Sequence, residues 1–160
     1  MRHSQITEQI WCGGELGPGD WEALYAQGVR VDLSLQEEKR DDFGGLSPEA
    51  ELWLPATDWY MPSLDQLLLA TQFISSAVAL GKKIVVHCKL GVGRAPLTVA
   101  CYLVTQGLRT RDALEYMRER RPLVEPNRGQ VQVVEEFEDL YQSVREALPR
   151  VIGGSQPPQE

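Results

Sequence analysis

The residues with the clearest chemical potential are Cys88 and Arg94, six positions apart in Val85-Val86-His87-Cys88-Lys89-Leu90-Gly91-Val92-Gly93-Arg94-Ala95-Pro96. The β-branched run before the cysteine suits a buried strand, and Pro96 suits the first turn of a helix. The string therefore reads as strand, tight loop, helix. Gly91 and Gly93 let the loop Lys89, Leu90, Gly91, Val92, Gly93, Arg94 fold with its N–H groups inward, and a helix N-terminus adds positive potential. Such a cradle binds a tetrahedral anion. The guanidinium of Arg94 supplies a planar fork for two phosphate oxygens. The same surroundings favour the Cys88 thiolate, since a thiol near a helix N-terminus and an arginine falls below its free value of about 8.5. One loop thus holds a phosphoryl group and ionises the sulfur that attacks it. His87 is expected to steady the loop by hydrogen bonding to nearby backbone. The string GVGRAP lacks the third glycine of a dinucleotide-binding loop.

Phosphoryl transfer from an alcohol also needs an acid for the leaving oxygen. Asp58, in Leu54-Pro55-Ala56-Thr57-Asp58-Trp59-Tyr60-Met61-Pro62, follows a strand and stands thirty positions before Cys88. Trp59, Tyr60 and Pro62 are placed to dry it and raise its pKa. Asp65 is the rival acid, but its place just after Ser63 favours helix capping. Lys89 can add charge for a polyanionic substrate, or lie solvated. Arg118, Arg120 and Arg121 can form a basic rim, though their helical spacing fits a solvated face. Gln130 is a candidate for orienting water, with helix surface the competing reading. Cys101 is expected in the core, and nothing in the sequence brings Cys12 to Cys88. His3 receives no role. Neither His3 nor His87 has spaced partners for a metal, and the pattern calls for no cofactor.

The elements that must position these groups alternate strand and helix. Strands are expected at Ile10–Cys12, Val31–Leu35 (half-buried, from its alternation), Leu52–Leu54 and Lys83–His87. Helices are expected from Asp20 to Gln27, from a Ser63 cap to Gly81, from Ala95 to about Val104, over Thr110–Arg120 and over Val131–Ala147. The charged stretch Glu37–Glu51 reads as a surface loop. The expected fold is a single α/β domain over residues 1–150, a central, mostly parallel sheet with helices on both faces. Residues 151–160 are low in apolar residues and are expected to form a disordered tail.

Composition is compatible with this. Of 160 residues 42% are hydrophobic and 24% charged, enough for a core in one domain. The net charge of −7, from 16 basic and 23 acidic residues, opposes binding to nucleic acid or to an anionic membrane. No apolar run has the roughly 20 residues of a membrane span. The start MRHSQITEQ lacks a secretory signal, and three scattered cysteines form no disulfide framework, so a reducing cytoplasm is the expected location. Oligomeric state is not legible.

The string HCKLGVGR resembles the signature loop of the protein tyrosine phosphatase superfamily, and the short chain resembles its dual-specificity branch over roughly Ile10 to Leu140. That resemblance implies a phosphocysteine at Cys88, a transition-state clamp at Arg94 and a general acid at Asp58. Arg121-Pro122 and Pro126-Asn127 are similar to a segment whose asparagine, here Asn127, braces the loop. One departure matters: Ala95 stands where most relatives carry a hydroxyl that helps sulfur leave. GRAP is similar to the phosphatases of regenerating liver, which are slow. HCK and PSLDQL are similar to phosphatidylglycerophosphate phosphatases. The expected substrate is a phosphorylated protein, with phosphotyrosine first and phosphoserine or phosphothreonine admitted. A phosphoinositide or phosphatidylglycerophosphate-type lipid or other small phosphorylated substrate, and a slow enzyme acting as a phosphate-dependent binding module, are the alternatives.

Overall fold

Five strands form one sheet in the order β1-β2-β5-β3-β4, from β1 (His3–Gln5), β2 (Ile10–Gly13), β3 (Val29–Gln36), β4 (Ala50–Ala56) and β5 (Lys83–His87). A computed structural model describes residues 2–148, so the expected tail at 151–160 lies outside the described residues. β2, β5, β3 and β4 run parallel, and β1 joins the edge antiparallel to β2. The helices are α1 (Asp20–Ala26), α2 (Leu64–Ala79), α3 (Arg94–Thr105), α4 (Thr110–Arg120) and α5 (Arg128–Val144).

Alternation along the strands sends side chains to two apolar clusters. Ile10, Cys12, Val31, Leu33, Ile84 and Val86 meet α2, α3, α4 and α5 on one face. Trp11 and Val85 meet Trp21 and Leu24 of α1 on the other, and Val29 joins them because the register of β3 shifts between Val29 and Val31. The crossovers β2–α1–β3 and β4–α2–β5 thus pass on opposite faces, as the sequence pattern predicts. They leave a crevice beyond the carboxyl end of β5, where α/β sheets bind ligands.

Local chemistry sets the boundaries. Ser63 accepts from the N–H of Gln66, and Gln66 returns a bond to Ser63 N, a capping box that starts α2. Asn127 and Gln130 make the same box for α5, which begins three residues before the predicted start. α1 starts after Gly19 with no side-chain cap, while Asp20 accepts from the N–H of Gly17.

Two expectations change. β3 is not half-buried. Asp32, Ser34 and Gln36, the polar half of its alternation, are at most 1% exposed. The stretch from 37 to 49, read as a surface loop, folds over that face: Asp41 meets His87, and Trp21 Nε1 donates to Leu46 O. The polar start also forms a strand, β1. There His3 is buried and its Nε2 donates to Gly14 O at 2.8 Å. Burial holds the His3 pKa below its ordinary value.

Ser63→Ala is expected to cost about 1 kcal/mol by losing the capping box. Ile74→Ala, in the fully buried face of α2, is expected to cost about 3 kcal/mol. Urea unfolding checks both, and the order of the two losses decides whether α2 is held mainly by packing. The neutral His3 sets a pH dependence. Its folded pKa lies below the unfolded one, so below about pH 6.5 the unfolded chain takes up a proton the folded chain refuses. His87 and Asp32, whose pKa values are raised, act in the opposite sense over the same range, so the His3 share is read as a difference: in thermal unfolding the stability of the wild type relative to His3→Gln should fall from pH 7 to pH 5.

Candidate active site

β5 delivers Cys88 to the crevice. Its first hydrogen bond leaves the loop: Cys88 N donates to Gly13 O at 3.2 Å. The loop carbonyls are drawn outward, with Lys89 O accepting from Glu15 N, Gly91 O from Arg121 Nε at 2.7 Å, and Val92 O from Glu125 N. Amides of a tight loop whose carbonyls point out are left for its interior. Gly91 N donates to Cys88 Sγ at 3.3 Å. Gly91 has φ +71°, and a Cβ there would strike the backbone of Gly13 and come within 2.6 Å of Arg121 Nη2. Only glycine fits. A Cβ on Gly93 would meet Gln130 Nε2 at 2.8 Å.

Arg94, at the first position of α3, is 2% exposed. Its Nη1 donates to Glu38 Oε1 and to Ala56 O, each at 2.7 Å, and its Nη2 to Glu38 Oε2 at 2.9 Å. Arg94 holds the Glu38 carboxyl below the usual carboxylate range. The fork is therefore fixed from behind by a carboxylate. Arg94 Nε is buried and has no partner among the described residues, which leaves it for an anion in the cradle. Sequence reasoning missed Glu38. Its one local sign is a glutamate two residues past the end of β3; nothing local pairs it with Arg94.

Asp58 stands 3.5 Å from Arg94 Nη2, so the loop after β4 brings it to the same site. The aromatics do not dry it. Trp59 and Tyr60 are 72% and 67% exposed, and the Asp58 side chain is itself 46% exposed. Trp59 alone among the described non-glycine residues has positive φ, at 71°. That conformation costs about 1–2 kcal/mol, offset by bonds at both ends: Trp59 N donates to Asp58 Oδ1, and Trp59 O accepts from Asn127 Nδ2 at 2.8 Å.

The supporting residues fall differently from expectation. Asn127 braces the loop of Asp58 rather than the signature loop, because as the α5 cap it faces the chain entering α2. Gln130 is buried rather than on the helix surface; its Nε2 donates to Tyr60 O and lies over Gly93. Arg121 is not part of a basic rim. It is 3% exposed and ties Gly91 O to Arg2 O and Ser4 Oγ, so it is the brace of the signature loop. His87 binds side chains rather than backbone, with Nε2 at 2.8 Å from Asp41 and 3.2 Å from Asp32. Lys89 is exposed. Ala95 is fully buried, and Thr98, one turn on, spends its hydroxyl on Arg94 O. Cys12 sits in register with Val86, in the same core as Cys88, and burial pushes its thiol up. Cys101 lies in the core as expected.

Comparison with known proteins gives the family. The model described as dual specificity phosphatase, catalytic domain, matches residues 22–140. Human protein phosphatase Slingshot homolog 2 is 31% identical over 141 residues, covering 86% of this chain and 10% of that protein. Phosphatidylglycerophosphate phosphatase PTPMT2 of Arabidopsis thaliana is 38% identical over 98 residues, 60% of this chain and 43% of that one. The chain thus spans less than half the length of these relatives. Among solved structures, PTPMT1 in complex with PI(5)P superposes with a TM-score of 0.82 at 22% identity, covering 91% of this chain and 99% of that chain. Tk-PTP in the active form superposes with a TM-score of 0.76 at 25% identity, covering 86% and 97%. Sheet order, crevice and family match agree: this chain belongs to the dual specificity phosphatase catalytic-domain family.

Proposed function

We propose that the chain hydrolyses phosphomonoesters on proteins, phosphotyrosine first and phosphoserine or phosphothreonine as well, through a phosphocysteine at Cys88. The observation that carries this reading is the buried Arg94 fork. It is fixed by Glu38 with Nε unpartnered, at the mouth of a loop whose Gly91 amide meets the sulfur. Cys88 Sγ attacks phosphorus while Asp58 protonates the departing oxygen. Arg94, the amides of Lys89 to Gly93 and the α3 N-terminus stabilise the charge spread over the equatorial oxygens. Asp58, then a carboxylate, takes a proton from the water that hydrolyses the thiophosphate. The free thiol this chemistry needs fits a reducing cytoplasm. Among the described residues no helix is long and apolar enough to cross a membrane.

Two observations favour further readings of the same chemistry. Lys89 is exposed beside the cradle, and PTPMT2 carries a phosphatidylglycerophosphate phosphatase name, so a polyanionic lipid headgroup is the second substrate class. The buried Ala95 offers no hydroxyl to the leaving sulfur, which favours slow turnover and retention of phosphorylated partners.

Cys88→Ser should abolish turnover of para-nitrophenyl phosphate, and Asp58→Ala should lower kcat by about 10²–10⁴-fold. Normal activity of the serine variant removes the nucleophile assignment. kcat/KM for phosphotyrosyl peptides should exceed that for a soluble phosphoinositide headgroup; the reverse order selects the lipid reading. In stopped flow, the wild type should release about one equivalent of product in a burst before a slower steady state. Ala95→Ser should shrink the burst and raise the steady rate, and an unchanged phosphocysteine lifetime by mass spectrometry would contradict this.

A further inference from the structure

On the sheet face opposite α3, directly behind the signature loop, three side chains outside the proposed reaction meet. Asp32 of β3, His87 at the end of β5 and Asp41 of the acidic loop are 0%, 0% and 1% exposed at their side chains. His87 Nε2 lies 2.8 Å from Asp41 Oδ2 and 3.2 Å from Asp32 Oδ1. A single N–H on Nε2 cannot serve two carboxylates. Both oxygens of Asp32 and Oδ1 of Asp41 have no hydrogen-bond partner among the described residues. With both acids ionised around an imidazolium, the cluster would hold a surplus negative charge out of reach of water, which is costly.

A proton on Asp32 resolves this. It removes the surplus charge and gives Asp32 a donor for Asp41. The electrostatics agree in direction: burial pushes the Asp32 carboxyl up, while bonds from His87 and Asp32 hold Asp41 low despite its own burial. Burial works against charge on His87, but the two acids outweigh it. A divalent cation would neutralise the same pair, yet its donor atoms would stand about 3.3 Å apart around a centre about 2 Å from each. The 2.8 Å separation of Nε2 and Asp41 Oδ2 is that of a hydrogen bond.

The position of this triad gives it a consequence. His87 is bonded covalently to Cys88, and Asp41 lies three residues after Glu38, whose side chain is 27% exposed and which belongs to the exposed run 37–40. We propose that Asp41 is a positioning residue: locked to His87 and Asp32, it anchors the acidic loop so that Glu38 fixes both Nη atoms of Arg94 and leaves Nε to the phosphoryl group. This rests on the phosphatase reading of Cys88 and Arg94 above. Asp41 touches no substrate and acts through Glu38.

A double-mutant cycle tests it. kcat/KM for para-nitrophenyl phosphate, vanadate affinity and Tm are measured for wild type, Asp41→Asn, Glu38→Gln and the double variant. Each single change should lower kcat/KM by about 10–100-fold, the scale of losing a catalytic group's alignment, and weaken vanadate binding. The double variant should fall within about twofold of Glu38→Gln, because the two changes break one chain of contacts. Losses that multiply, or an Asp41→Asn variant within twofold of wild type, overturn the proposal. Asp32→Asn, which keeps a donor for Asp41, should lose at least tenfold less than Asp41→Asn; equal losses overturn the charge assignment. So would one equivalent of metal retained by the wild type and lost in Asp41→Asn. If Asp41→Asn does not fold, Asp41→Ser takes its place. Vanadate affinity needs no turnover, so an inactive wild type would count against the phosphatase reading and leave the cycle readable.

Discussion

A guanidinium buried almost completely cannot be left uncompensated, and that constraint on Arg94 organises the surroundings of the site. The proposed reaction needs a cation beside the sulfur, at the start of α3 where Arg94 is 2% exposed. Before a phosphoryl group arrives, the charge must be met by the protein. Glu38 does so through both Nη atoms, and Ala56 O takes a further bond. The compensation comes from behind and from the side, so one edge of the fork stays open. Pairing a buried charge in this way adds little net stability, because desolvation offsets the attraction. What it does is fix one orientation.

The same constraint explains why a strongly acidic stretch closes over a sheet face. The acidic loop carries Glu38 to Arg94 and Asp41 to His87, and Glu15 nearby meets both Lys39 and Gln36. An acidic protein with net charge −7 thus spends part of its negative charge internally, on a cation that must face an anion. The far field repels polyanions, while the proposed cradle acts on one phosphoryl group at close range. Those two statements act at different distances and do not conflict.

On the other side of the crevice the restraints are neutral. The α5 capping box does two jobs: it starts a helix, and its Asn127 and Gln130 hold the carbonyls of Trp59 and Tyr60. The loop bearing Asp58 is thereby held in a strained turn with its aromatics outward. An acid on an exposed, pinned loop can reach a leaving group without being buried by the fold itself. Closure over the acid is left to whatever occupies the site.

By itself the sequence determined what short-range rules encode. β5, α4 and the capped start of α2 fall where the pattern places them, because apolar period, capping residues and Gly or Pro stops act within a few residues. The loop from Cys88 to Arg94 is legible for the same reason, as a contiguous string. Tertiary structure alone decided which charges meet. Glu38 is 56 residues from Arg94, Asp41 is 46 from His87, and Arg121 is 30 from Gly91. The alternation of β3 looked half-exposed because strand period reports that two faces differ, not whether a distant loop covers the polar one. His3 and Gln130 show the same limit. A polar side chain carries no local mark of burial; its partner is fixed only when the sheet closes and desolvation makes an unpaired group too costly to keep.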